Sequence, residues 1–112
     1  MSGHAHAADS DYPSRPIRLI SPFTPGGGND LVSRTIALAM SKNVSQSIVV
    51  DNRPGANTIV GMEIVAKAAP DGYTLITTSS TQAINATLYP KLPYDSIKSF
   101  APVTIVGSSP LI

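Results

Sequence analysis

"IRLISPFTPGGGND", residues 17–30, passes from a short apolar stretch through two prolines into three consecutive glycines and a pair of helix-capping side chains. Ile17, Leu19 and Ile20 suit a strand buried on both faces, and Pro22 and Pro25 end it because proline cannot donate to a ladder. Asn29 or Asp30 is expected to cap a helix running to Met40 or Lys42. Val32, Ile36, Ala39 and Met40 would form its inner face, and Asp30 would set negative charge at the positive end of the helix dipole. A strand, a glycine loop and a helix in that order open a β-α-β unit.

The rest of the chain repeats this alternation. Ser47 to Asp51 is β-branched and stops at Asn52-Arg53-Pro54-Gly55, a turn signal containing both helix breakers. A second helix is expected from about Thr58 to Ala68, with Ile59, Met62, Val65 and Ala66 on one face and Gly61 allowing close packing, until Pro70-Asp71-Gly72 ends it. Thr74 to Thr78 reads as a third strand, followed by a short helix from Ala83 to Leu88. Lys91 to Ser99 reads as loop, and Phe100 to Ile105 as a fourth strand. This order predicts an α/β fold of three layers, a parallel sheet with helices on both faces. The apolar ending Pro110-Leu111-Ile112 resembles the start of another buried strand, so a fragment of a longer protein is expected.

Composition narrows the function classes. Of 112 residues 42% are hydrophobic and 13% charged, which favours one small folded domain over disorder. The net charge is only +1 and no run of like charge occurs, which argues against nucleic-acid and membrane-surface partners. The chain has no cysteine, so disulfide and thiol chemistry are excluded. No apolar run reaches the ~18 residues of a spanning helix. Residues 1–11 read as a leader, signal remnant or tag, with Ala5-His6-Ala7 in the form of a cleavage site. His4 and His6 in that leader are better read as linker than as metal ligands.

In open α/β sheets ligands bind beyond the carboxyl ends of the strands. Two loops hold that position, one at Thr24 to Asn29 and the other at Thr78 to Gln82. Both lead into helix N-termini, whose unpaired N–H groups favour an anion. Taken singly, each is an ordinary capped connection; as a pair at matched positions they point to a binding cleft. The phosphate-loop pattern fails, because Asn29 and Asp30 stand where lysine and a hydroxyl belong. The dinucleotide fingerprint is met at Gly26 and Gly28 but not at Leu31, although Asp51 closes the second strand as a ribose-binding acid would. A nucleotide-binding enzyme domain of Rossmann type therefore stays open as the alternative. Catalytic groups are sparse: no G-x-S-x-G or metal-ligand cluster occurs, and both histidines lie in the leader. Asp30 reads as a cap tightening the glycine loop, Arg34 as its i,i+4 partner, and Arg53 as a solvated turn residue or a counter-charge at the cleft rim.

The succession "YPSRPIRLISPFTPGGGNDLVSR", "VVDNRPGANTIVGMEIVAKAAPDGYTL", "TSSTQAINATLYPKLPYD" and "SFAPV" resembles the substrate-binding receptors of tripartite tricarboxylate transporters, the Bug family. The resemblance covers about Tyr12 to Ile112. It implies one N-terminal lobe, residues 12–112, of a two-lobed type II periplasmic binding fold, with the second lobe absent. It also implies a periplasmic receptor, not an enzyme, that captures a small di- or tricarboxylic or amino acid for membrane transporter subunits, without a cofactor. Carried over, the ligand-binding positions are Phe23, Thr24, Pro25, Gly26, Gly27 and Gly28 in the first loop, with Ser79, Ser80, Thr81, Gln82 and Asn85 at the second. Gln82 stands where many relatives carry histidine. Half a cleft implies weak ligand binding, and an unpaired apolar strand implies a homodimer or swapped assembly.

Overall fold

The computed structural model describes residues 11–108. Its elements follow in the order β1 (Ile17–Ser21), α1 (Gly28–Val44), β2 (Ile48–Asn52), α2 (Ile59–Ala66), β3 (Thr74–Ile76) and α3 (Thr81–Leu88). The strands form one parallel sheet in the order β2-β1-β3, with Leu19 of β1 opposite both Val50 and Leu75.

That order has a geometric consequence. The chain moves from β1 outward to β2, then crosses back over β1 to reach β3. Right-handed crossovers in opposite directions put their helices on opposite faces of the sheet. Accordingly α1 packs on β1 and β2, while α2 packs on β3 and β1. Ile17 and Leu19 point to the α1 side and join Ala37 and Ile48 in the buried core, edged by Met40, Val44, Val50, Tyr73 and Leu75. Ile20 points the other way, and both it and Met62 of α2 are fully buried.

Three expectations are corrected. The buried face of α1 is Asp30, Ser33 and Ala37; of the expected face Met40 does pack against the core, while Val32, 42% exposed, and Ala39 do not. Apolar residues occur all round this helix, so periodicity did not define its rotation; the small Ser33 and Ala37 allow close approach to the sheet. The N-cap is Gly27 in extended conformation, not Asn29 or Asp30, and it makes no side-chain cap bond. Residues 100–105 form no strand: Val103 and Ile105 are 82% and 86% exposed. A β-prone segment becomes a strand only beside a neighbour, and the described sheet ends at β3. The ends of the other elements shift by a residue or two, with α3 beginning at Thr81 rather than Ala83.

At the amino end of the sheet the incoming chain is fastened to the α2–β3 connection. The Tyr12 hydroxyl donates to the Gly72 carbonyl at 2.6 Å, and the Arg15 guanidinium lies 3.7 Å from the Tyr73 ring centroid. No helix among the described residues is long and apolar enough to cross a membrane. The leader, with His4 and His6, and the ending Pro110-Leu111-Ile112 lie outside the described residues.

Candidate functional site

The direction of winding reverses between β1 and β3, so the loops leaving their carboxyl ends part to opposite faces and leave a crevice between them. These are the two loops singled out above. The Thr77 amide, at the start of the second, donates to Ile20 of β1 at 3.1 Å. Ser33 of α1 donates its hydroxyl proton to the Asn29 carbonyl at 2.9 Å, so the 2.7 Å contact with Thr77 has the threonine hydroxyl donating. Thus the floor of the crevice joins β1, β3 and α1.

A buried carboxylate shapes the glycine loop. Asp30, only 5% exposed, accepts from the Gly26 amide at 3.0 Å, the Asn52 side chain at 2.8 Å and Arg34 Nε at 3.0 Å. Asn52, the last residue of β2, also donates to the Phe23 carbonyl at 3.2 Å and accepts from Arg34 Nη2 at 2.9 Å. The Asn52, Gly26 and Arg34 hydrogen bonds hold the Asp30 carboxyl down at about 2, well below its ordinary 3.8. Gly26 takes φ +90°, a conformation L side chains rarely adopt. The loop is therefore pinned from inside by Asp30 and turned by Gly26.

Pinning leaves donors pointing outward. Among the described residues the Gly27 and Gly28 amides have no hydrogen-bond partner, whereas Leu31 N–H begins the helix ladder by donating to the Gly27 carbonyl at 3.0 Å. A Cβ built on Gly28 would meet nothing within 4 Å, and one on Gly27 only the Thr24 carbonyl at 3.8 Å. These glycines border an open depression of about 260 Å³ lined by Gly26, Gly27, Gly28, Asp30, Leu31 and Arg34. The Gly27 and Gly28 amides thus lie at the edge of an open depression, and a helix N-terminus favours negative charge.

The second loop is a hydroxyl cluster. Ser79 Oγ donates to Thr81 Oγ1 at 3.0 Å and accepts from the Thr81 amide at 3.3 Å, while the Ser79 and Ser80 carbonyls accept the Gln82 and Ile84 amides. Gln82 donates through Nε2 to the Ser96 carbonyl at 2.9 Å. Asn85 is wholly buried, with both amide atoms engaged by Asn57. Of the first-loop residues, Phe23 is half-buried, and Thr24 and Pro25 are exposed outside the depression. The depression itself belongs to the first loop and α1 alone.

The arginines near this edge are each engaged by a carboxylate, three arginines sharing two aspartates. Arg34 pairs with Asp30, and both Arg18 and Arg53 pair with Asp51, at 2.6 and 3.0 Å. Asp51 is held below the usual carboxylate range by the Arg53 hydrogen bond, with Arg18 adding to it. This use of Asp51 removes it as a ribose-binding acid, and the exposed Leu31 cannot serve as the third glycine of a dinucleotide loop. The Rossmann alternative thereby loses Asp51, and the fingerprint stays incomplete at Leu31. Sequence reasoning missed Asn52 and Asn57 altogether; the dense turn signal Asn52-Arg53-Pro54-Gly55-Ala56-Asn57 marked the place but not the partners.

Comparison with known proteins identifies the fold and the family. The family model for the tripartite tricarboxylate transporter family receptor matches residues 32–112. Protein BugT of Bordetella pertussis is 42% identical over 103 residues, covering 90% of this chain and 32% of BugT. The periplasmic binding protein BugD is 35% identical with a TM-score of 0.78, over 81% of this chain and 30% of that one. MatC of Rhodopseudomonas palustris, solved with bound malate, is 40% identical with a TM-score of 0.78, over 82% of this chain and 32% of that one. The chain thus spans about a third of the length of these relatives, and its fold matches one part of theirs. With the family model spanning most of the sequence and the fold agreeing, the chain belongs to the tripartite tricarboxylate transporter receptor family.

Proposed function

We propose that residues 12–112 form the N-terminal lobe of a periplasmic receptor that captures a small organic carboxylate and hands it, chemically unchanged, to membrane transporter subunits. The observation that carries this reading is that, among the described residues, the Gly27 and Gly28 amides are unpartnered at a helix N-terminus bordering an open depression, beside arginines that each have a carboxylate partner. A carboxylate accepts from such neutral donors without demanding a full counter-ion, and ordered water completes its shell. The malate bound by MatC is a ligand of this class. Ser79, Ser80 and Thr81 supply the facing hydroxyls and amides, and Phe23, Thr24 and Pro25 form the rim. Gln82 and Asn85 support this wall from behind. The exposed segment at Val103, Ile105 and Val106 and the open edge of β3 suit pairing between two copies of this chain, which sedimentation velocity at rising concentration would show as a dimer.

Titrating the 15N-labelled chain with malate is expected to shift the Gly27, Gly28, Ser80 and Thr81 amides, with weak affinity because one lobe cannot enclose the ligand. Gly28→Ala adds a methyl to this depression where nothing lies within 4 Å, so it should leave the unfolding midpoint unchanged or slightly higher while abolishing those shifts. Malate shifts that survive Gly28→Ala, or that are reproduced by NAD alone, would overturn the reading.

A further inference from the structure

We propose that Asn57 and Asn85 are a positioning pair that sets the spacing between the two candidate loops, acting through the first turn of α2. The inference rests on reading those loops as one cleft.

Asn57 Nδ2 donates to Asn85 Oδ1 at 3.0 Å, and Asn85 Nδ2 donates back to the Asn57 carbonyl at 2.8 Å. The pair is thus reciprocal, and Asn85 is completely buried. Asn85 lies one turn beyond Thr81 in α3, so whatever holds Asn85 holds the helix start that carries Ser80 and Thr81. A ligand cannot replace these bonds without leaving the Asn57 carbonyl or its amide unsatisfied. Asn85 consequently acts on the cleft through α3 and does not touch the ligand.

The other end of the connection is equally constrained. Gly55, Ala56, Asn57 and Thr58 take φ of 132°, 48°, 55° and 76° in succession. Positive φ is uncommon for a residue with a Cβ and an outlier for a β-branched one such as Thr58. Backbone of this kind persists only where its surroundings over-determine it. Here Asn85 grips one side. On the other, Gly61 sits so close to the start of the first loop that an added Cβ would fall 2.7 Å from Pro22 Cβ and 3.1 Å from the Arg53 carbonyl. The first turn of α2 is therefore wedged between Pro22, where the glycine loop begins, and Asn85, behind the hydroxyl loop. A strained, doubly held turn has one shape, and that shape fixes the gap between the loops it touches.

Because the chain contains no native cysteine, the exposed Thr24 and Ala83 can be exchanged for cysteine and spin-labelled. The label-to-label distance distribution then reports the gap directly. Asn85→Ala is expected to broaden this distribution. It should also remove the malate-induced shifts at Ser80 and Thr81 while those at Gly27 and Gly28 remain. Val44→Ala, which trims the core at the far end of α1, lowers stability without touching the pair and is expected to keep the distribution narrow. A narrow distribution in Asn85→Ala, or equal broadening in both variants, overturns the positioning role. The absence of any malate-induced shift in the unsubstituted chain instead overturns the reading of the cleft, so the two failures are distinguishable.

Discussion

Gly61→Ala is expected to destabilise the fold by about 1–3 kcal/mol, the cost of overpacking a tight site, although the same change in an open helix gains about 1 kcal/mol. The sign reverses because of what the new methyl meets. Its position lies 2.7 Å from Pro22 Cβ and 3.1 Å from both Pro22 Cα and the Arg53 carbonyl. A proline ring and a backbone carbonyl cannot rotate aside as a flexible side chain would, so α2 or the first loop must move. For a domain of this size the unfolding midpoint should fall by roughly 10 °C. Urea titration should show a lower midpoint with unchanged slope, which marks a loss of stability rather than a change in the unfolded chain. A midpoint equal to that of Gly28→Ala, whose Cβ meets nothing within 4 Å, would refute the close approach.

Asp30→Asn should loosen the glycine loop and flatten part of the acid dependence of stability. The carboxylate receives three donors, from Asn52, Gly26 and Arg34, and an amide presents one nitrogen of its own to at least one of them. The sign of the pH effect follows from the depressed value, about 2 against 3.8. Between about pH 2 and pH 4 the unfolded chain binds more protons at this site than the folded one, so stability rises with pH across that window. The contribution is complete above about pH 4 and lost as pH falls through about 2. Asp51 and Asp95 are lowered as well and act in the same direction, so the informative quantity is the difference between the two proteins. Chemical denaturation at stepped pH should give a smaller slope for Asp30→Asn in that window. Hydrogen exchange at neutral pH should show faster exchange of the Gly26 amide. Identical slopes and unchanged exchange would remove Asp30 from its place as the pin of the loop.

The sequence reading anticipated the two loops and the Asp30–Arg34 pair that tightens the first, but missed the asparagines that hold them, for a reason that the residues make plain. Glycine, proline and hydroxyl residues announce a loop by their own backbone preferences, and Gly26 needs its positive φ whatever surrounds it. Asn52 and Asn57 announce nothing of the kind. Asn52 matters because Phe23, Asp30 and Arg34, separated from it by 18 to 29 positions, converge on one side chain. Asn57 matters because Asn85, 28 positions away, meets it. The segment at Ala56 and Thr58 goes further, since these two residue types oppose the positive φ they adopt.

From the sequence alone came the alternation of strand and helix, the parallel sheet and the two carboxyl-edge loops, because apolar runs and turn residues act locally. The tertiary structure decided how α1 is rotated, since Ser33 reaches Thr77 only after β3 lies beside β1. It decided that residues 100–105 have no strand partner among the described residues, because a strand is a property of two neighbours. It also decided that Gly27 rather than Asp30 takes the N-cap position while Asp30 tightens the loop, and that Asn85 is buried against Asn57. Each of these depends on a partner brought in by the fold, and hydrogen-bonding partners distant in sequence leave no periodic trace in it.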